Sequence, residues 1–356
     1  MGVIAPMLKS LRAVYSRRNR SNSENFEIDE GIPTYRMHQW ALLPRVPFGN
    51  YFIWRSVANR LLDRYLAEQG RPDVIHAHSA IYAGAVAGEW RSTLKVPVVL
   101  TEHSTAYARS VFRPWQLRLA RLAAIAADER ISVSPPLGTL LEEQLGKNAG
   151  PWRWVPNVVA PRFHREQPLD LQSSREIRLL NLALMSDKKG QSDLLKGFAR
   201  AFPNPSSVEL WIGGDGPIRG RLKEEARSLD IGRRVRFLGM VPPDEVPGLL
   251  GVVDLMVVSS HYETFGVVAA EALMAGVPVV ATQCGGPEYI VRDGDGLLVP
   301  PRSPDKLALA LKEAVEQLEN FDRAAIAARA WARFSGPAVV GQLGQLYRDI
   351  LSERQP

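Results

Sequence analysis

His261-Tyr262-Glu263-Thr264-Phe265-Gly266-Val267-Val268-Ala269-Ala270-Glu271-Ala272-Leu273-Met274-Ala275-Gly276-Val277-Pro278-Val279-Val280 is the stretch on which the fold turns. Just upstream, Leu255-Met256-Val257-Val258 is a short β-branched apolar run, followed by Ser259 and Ser260. An apolar helix is expected to start at Phe265 and Gly266 and to end at Gly276, where glycine is the usual stop. Val277-Pro278 then turns into another apolar run over 277–282. Strand, helix and strand in that order make a βαβ unit of a parallel sheet.

The same stretch carries chemistry. Backbone N–H groups at a helix N-terminus attract anions, and a pyrophosphate is a suitable one. Glu263 lies just before the helix and Glu271 inside it. Helix rise places Glu271 roughly 8 Å from the phosphate-facing amides, a span that matches diphosphate to ribose. Carboxylates pair well with vicinal hydroxyls through charge-assisted hydrogen bonds. Taken alone, two glutamates eight residues apart read better as ordinary surface groups. The preceding strand, the glycine at the helix start and the Gly276-Val277-Pro278 turn shift the balance towards a nucleotide-sugar site.

Outward from this unit, β-branched runs alternate with helical stretches along the whole chain. Strands are expected at 2–6, 34–38, 73–78, 96–103 and 130–134, then at 178–185, 208–213, 235–239, 255–260, 277–282 and 297–300. Helices are expected at 54–69, 189–201, 218–229 and 305–318. Near-continuous apolar strands suit parallel sheets covered on both faces. The fold class is therefore α/β, with two doubly wound domains in tandem. Proline-rich and polar residues at 156–174 mark the boundary, giving domains 1–158 and 159–337. A last helix within 338–356, after the Gly336-Pro337 break, has the option of returning to the first domain. Residues 21–30 read as a polar loop insert.

At 356 residues, with 46% apolar and 23% charged, the chain has the length and composition of a two-domain globular protein. No uncharged apolar run reaches the eighteen residues a membrane span needs. Lys9, Arg12, Arg17, Arg18 and Arg20 follow the apolar N-terminal stretch instead of preceding it, which reads against a secretory signal. The single cysteine, Cys284, reads as a small buried filler and fits a reducing cytosol. The net charge of +6 suits an anionic partner. Phe112, Trp115, Leu119 and Leu122 recur at helical spacing among Arg109, Arg113, Arg118 and Arg121. That pattern fits a helix lying on an anionic membrane surface, or equally one packed on its own core. No helix-turn-helix, zinc-finger or RNP pattern points to nucleic acid.

Glu263 and Glu271 with their surroundings resemble the Glu-x7-Glu signature of the GT4 retaining glycosyltransferases. The resemblance implies a GT-B fold, two facing Rossmann-like domains with a cleft between them. Further segments agree in order: Lys188-Lys189-Gly190, Gly213-Gly214-Asp215-Gly216-Pro217, residues 235–240, Gly285-Gly286-Pro287-Glu288, residues 293–299 and Val155-Pro156-Asn157. In the first half, residues 72–78 and Thr101-Glu102-His103 are similar to the family's strand ends at the cleft. By this resemblance Lys188, Lys189, Gly214, Gly239, Met240, Glu263, Phe265, Gly266, Val267 and Glu271 bind the donor. His103, Glu263 and Lys189 are its catalytic group, and His78, Glu102 and Asn157 lie on the acceptor side. A lysine beside a helix start is disfavoured by the dipole, which itself suits a phosphate ligand for Lys189. His76 and His78 share one face of a strand; a metal site is conceivable, and hydrogen-bonded histidines are the better reading.

Two departures stand out. Leu182-Ala183-Leu184-Met185 occupies the place of the family's Gly-Arg-Leu, removing one cation from the diphosphate unless Lys188 substitutes for it. The family's chains also begin one βα unit earlier, so this chain is expected to lack that unit and its glycine-rich loop, and to be impaired in transfer. The implied function is retaining transfer of a sugar from a nucleotide diphosphate sugar to an acceptor hydroxyl in cell-envelope polysaccharide or glycolipid synthesis. No metal or cofactor is expected. The expected partners are a nucleotide sugar, a saccharide or lipid-linked acceptor and an anionic membrane surface, without nucleic acid. The expected place is the cytoplasm, peripheral to the inner face of the plasma membrane. A non-catalytic nucleotide-sugar-binding paralogue and a sugar-nucleotide epimerase of the same fold are the alternatives.

Overall fold

The computed structural model describes residues 1–9, 24–43, 46–164 and 176–353. The arginines at 12, 17, 18 and 20, Pro168 and the polar residues at 172–174 lie outside that set. The chain divides into two compact units: Met1–Ser132, Gly138–Arg153 and Leu346–Pro356 form one, and Val133–Leu137 with Trp154–Gln345 the other. The division thus falls at Arg153 and not at 158. The reason is local: Trp154 packs edge-on to Tyr289, and the Val159 N–H donates to the Phe334 carbonyl at 2.8 Å.

The first unit runs β1 (Val3–Lys9), β2 (Glu24–Asp29), β3 (Ile32–Trp40), α1 (Gly49–Gln69), β4 (Ile75–His78), a π-helical turn (Ala80–Gly84), α2 (Ala85–Leu94), β5 (Val98–Glu102), α3 (Pro114–Ala126), β6 (Glu129–Ser132), α4 (Pro135–Leu145) and β7 (Arg153–Trp154). It holds two sheets, ordered β1-β3-β2 and β4-β5-β6-β7. The first is mixed, because β2 pairs antiparallel with β3. Of the expected polar loop at 21–30, residues 21–23 lie outside the described residues and Glu24–Asp29 is a hairpin arm. Glu30 and Gly31 have φ of 48° and 82°, as a type I′ turn demands. Phe26 and Ile28 alternate ahead of that turn, a period-2 signal, and Phe26 packs on Tyr35 with tilted rings 5.0 Å apart. Tyr35, Met37, Val57 and Leu61 form the buried seam between β3 and α1.

The second unit runs β8 (Ile177–Leu182), α5 (Gln191–Ala201), β9 (Val208–Gly213), α6 (Arg219–Ser228), β10 (Val235–Gly239), α7 (Val246–Leu250), β11 (Leu255–Val258), α8 (Val267–Met274), β12 (Val279–Thr282), β13 (Gly296–Val299), α9 (Pro304–Glu316), α10 (Arg323–Phe334) and α11 (Gly336–Ser352). Its six-stranded sheet is parallel, ordered β10-β9-β8-β11-β12-β13. Leu179, Leu210, Ile212, Leu255 and Val257 bury one face against Leu194 and Phe198 of α5 and Leu307 and Leu311 of α9. Each such side chain contributes about 1.5–3 kcal/mol of burial. Strand order reverses between β8 and β11, so the loops leaving these two strands border the crevice where doubly wound sheets take ligands. Among the described residues no helix is long and apolar enough to cross a membrane. The tail of α11, from Leu346, belongs to the first unit.

Candidate functional site

The β8 loop and the β11 loop meet at that switch point. After β8 the chain makes a 3-10 turn over Asp187–Lys189 before α5, so Lys189 precedes the helix instead of opening it. Gly190 follows with φ 64°, and a Cβ there would sit 2.0 Å from the Ser259 carbonyl oxygen. Only glycine tolerates both the left-handed backbone and that approach. The loops are stitched together: the His261 N–H donates to the Lys188 carbonyl at 2.8 Å, and Ser259 Oγ donates to the Lys189 carbonyl at 2.9 Å. His261 Nε2 also meets Asp193 Oδ2 at 2.8 Å.

This stitching presents Lys189 to Glu263. Lys189 Nζ donates to Glu263 Oε1 at 2.5 Å, and Ser260 Oγ donates to the same oxygen at 2.7 Å. The Glu263 backbone is pinned as well, its N–H on the Cys284 carbonyl at 3.0 Å and its carbonyl taking the Gly286 N–H at 2.9 Å. Cys284 is buried, and desolvation pushes its thiol up to about 11, so it stays a neutral filler. Three residues beyond Glu263, Gly266 (φ 95°) opens α8, with no side chain capping the first turn. The first turn of any helix leaves its N–H groups without intrahelical partners. Phe265 contributes backbone alone, because its ring is 2% exposed and packs edge-on to Phe334.

Glu271 sits a turn into α8, and among the described residues its carboxylate receives no hydrogen bond from a protein donor. Desolvation pushes its carboxyl up to about 7, partly offset by the positive charge of Arg162. Arg162, itself paired with Asp244 at 3.3 Å, was not legible as a neighbour because it lies over a hundred residues away in the chain. On the other side of β8, the Gly214 N–H donates to the Gly239 carbonyl at 2.7 Å, and the Met185 N–H to the Asp215 carbonyl at 2.9 Å. These bonds hold Gly214 and Gly239 together, next to Met240, which is 75% exposed.

The first unit gathers the histidines. His78 Nδ1 lies 3.0 Å from His103 Nε2, and the two rings lie nearly parallel with centroids 5.3 Å apart. His76 is largely enclosed, and desolvation, then the neighbouring His78 and His103, lower its pKa to about 3. His78, exposed along one edge, is lowered by desolvation and by His103. Glu102 corrects the acceptor-side expectation. It is 1% exposed, and its oxygens are occupied by the N–H groups of Ala80, His103 and Ser104 at 2.8–2.9 Å and by the Tyr107 hydroxyl at 3.3 Å. It shapes the loop that carries His103 and has no oxygen left for a ligand. Asn157 falls in the second unit, with the segment that packs there.

On α3 the expected apolar stripe is redistributed. Leu119 is buried with Ala120, Ala123 and Ala124, and Phe112 packs edge-on to Tyr107. The exposed row is instead Arg118, Arg121, Leu122 and Ile125. These four share one helix face by spacing.

Two family models match in tandem: Glycosyltransferase Family 4 over residues 14–163 and Glycosyl transferases group 1 over residues 166–331. The fold and these matches define a GT-B glycosyltransferase, and the chain belongs to the family 4 type assembled from these two modules. Among its relatives, the glycogen synthase of Mycobacterium tuberculosis is 29% identical over 308 residues, covering 80% of this chain and 71% of its own. The alpha-monoglucosyldiacylglycerol synthase of Streptococcus pneumoniae is 27% identical over 303 residues, covering 78% of this chain and 67% of its own. Sucrose-phosphate synthase from Thermosynechococcus elongatus shares the fold with a TM-score of 0.76 at 22% identity, covering 99% of this chain and all of that one. Anabaena HepE in complex with UDP gives a TM-score of 0.74 at 20% identity, covering 98% of this chain and 100% of that one.

Proposed function

We propose that the enzyme transfers a sugar from a nucleotide diphosphate sugar to an acceptor hydroxyl with retention of configuration. The observation that carries this reading is the Lys189–Glu263 pair at 2.5 Å beside the uncapped start of α8. The bond from the anomeric carbon to the β-phosphate oxygen breaks, the acceptor oxygen bonds to the same face, and the acceptor proton leaves with the phosphate. Lys189, with Lys188 and the amides of Phe265, Gly266 and Val267, offsets the charge that grows on the departing diphosphate. Glu263 takes sugar hydroxyls once Lys189 turns to phosphate, and Glu271 takes the ribose diol. Gly214, Gly239 and Met240 border the base, while His103 and His78 serve the sugar or acceptor. No metal ion is assigned a part, because side chains and amides supply every positive partner in this scheme.

The acceptor is proposed to be a saccharide or a lipid-linked saccharide of the cell envelope. The names of the relatives, a polysaccharide synthase and a glycolipid synthase, support that range. A peripheral position on the cytoplasmic face of the membrane is supported by the Arg118, Arg121, Leu122 and Ile125 row. Leu122 and Ile125 are 54% and 47% exposed beside two cations.

The test is transfer of labelled sugar from UDP-, GDP- and ADP-linked donors to saccharide and lipid-linked acceptors, in chelator. Acceptor-dependent nucleotide release with retained configuration supports the reading. Epimerised donor without any acceptor, or nucleotide binding with no turnover, would replace it with one of the two alternatives.

A further inference from the structure

We propose that Tyr347, near the end of α11, is a positioning residue for His103 and acts on it through His76 and His78. The proposal rests on the reading of His103 as a sugar- or acceptor-contacting group. Parallel register sets His78 beside Thr101, and His76 lies two residues back on β4. Side chains two apart on a strand share a face, so His76, His78, Thr101 and the following His103 project to one side of the sheet. Tyr347 comes to that side on the returning end of α11, within the first unit.

His76 is the hub. Its Nδ1 meets the Tyr347 hydroxyl at 2.6 Å, and its Nε2 meets Thr101 Oγ1 at 2.7 Å. With a pKa near 3 the ring is neutral at physiological pH. A neutral imidazole has one N–H and one lone pair, so its two hydroxyl partners must act as one acceptor and one donor. Burial raises the Tyr347 phenol, which therefore stays protonated and fills either role. Two short bonds on opposite ring nitrogens fix the plane of His76.

That plane is passed on. His76 stacks on His78 with centroids 4.5 Å apart and planes 21° off parallel. His78 lies nearly coplanar with His103, centroids 5.3 Å apart and planes 15° off parallel, and the pair is joined edge to edge by the 3.0 Å nitrogen–nitrogen hydrogen bond. Three near-parallel imidazoles thus run from the C-terminal helix to the loop after β5. An exposed ring such as His78 has rotamers to choose from, and stacking on a fixed neighbour removes that choice. Without the Tyr347 hydroxyl, His76 loses one of its two anchors, and the ladder loses its fixed end.

Tyr347→Phe tests this, because it keeps the ring and removes the hydroxyl. The expected kcat loss is about threefold to tenfold, the range one net hydrogen bond supplies. Affinity for the sugar-free nucleoside diphosphate should not move, since the residues proposed to hold the nucleotide lie in the second unit. The ring ¹⁵N signals of His103 should shift, and six histidines are few enough to assign by substitution. In a His78→Ala background, Tyr347→Phe should add no further kcat loss. Unchanged kcat with unmoved His103 signals, or a fully additive loss in that background, would overturn the proposal. If His103→Ala keeps full transfer, the catalytic reading of His103 fails, and the ring signals still test the ladder by themselves.

Discussion

Glu271 gives the sharpest test, because the same desolvation that prepares it for a ligand strains the empty protein. Its carboxyl rises from 4.5 to about 7 in the folded chain. A folded state that holds the proton more tightly than the unfolded one is favoured at low pH. That contribution is complete below about pH 4.5 and is lost as pH rises through about 7. At 1.36 kcal/mol per pKa unit, the ionised carboxylate costs the ligand-free fold up to about 3 kcal/mol at pH 8. This is an upper bound, since the side chain is only partly enclosed. Glu271→Gln removes the charge at nearly constant shape, so it should raise the melting temperature by several degrees at pH 8 and leave it unchanged at pH 4. Nucleotide binding should move the opposite way. The ionised fraction of the wild-type carboxyl falls about tenfold between pH 8 and pH 6, and affinity for a nucleoside diphosphate should follow it. The phosphate titrates too, but equally in both proteins, so the wild-type minus variant difference isolates Glu271. Scanning calorimetry and titration calorimetry read the two effects. A variant that binds nucleotide as tightly as wild type, with the same pH slope, would take Glu271 out of the site.

Lys189→Ala should weaken nucleoside diphosphate far more than bare nucleoside, and Glu263→Ala should spare sugar-free nucleotide while erasing discrimination for the sugar; calorimetry with the three ligands decides both. Glu102→Gln should cost about 1–3 kcal/mol of stability, because an amide N–H₂ then faces backbone N–H donors, yet leave nucleotide affinity unchanged; urea unfolding of the variant measures it. Replacing Arg118 and Arg121 together by Gln should remove about 2 kcal/mol of affinity for anionic vesicles at low salt. Equal sedimentation of the wild type with neutral and anionic vesicles would make α3 a plain surface helix.

What the sequence determined by itself was periodic or punctuated. The apolar run at Leu255–Val258, the glycine stop at Gly276 and the Val277-Pro278 turn are local signals, and they specified a βαβ unit of a parallel sheet before any contact was known. Glu263, Lys189 and Gly190 were singled out by resemblance to the family's motifs, and the fold brings Lys189 and Glu263 together from the loops that follow two neighbouring strands. The hairpin at Glu24–Asp29 was legible in principle: Phe26 and Ile28 alternate ahead of a Glu-Gly turn, but the acidic and polar residues between them mask the alternation.

Only the tertiary structure decided which neighbours the chain brings from far away. Arg162 reaches the environment of Glu271, and Tyr347 closes on His76 across 271 positions, because α11 returns to the first unit. The use of Glu102 was undecided for the same reason. A glutamate at a strand end reads as a ligand until the Ala80, His103, Ser104 and Tyr107 donors converge on it. On α3, helical spacing placed Leu119 and Leu122 near one another, but the neighbouring helix and sheet took Leu119 inward and left Leu122 out with Arg118 and Arg121. Periodicity reports that a face exists. Which face is buried depends on what packs against it, and that surface is assembled from residues remote in the chain.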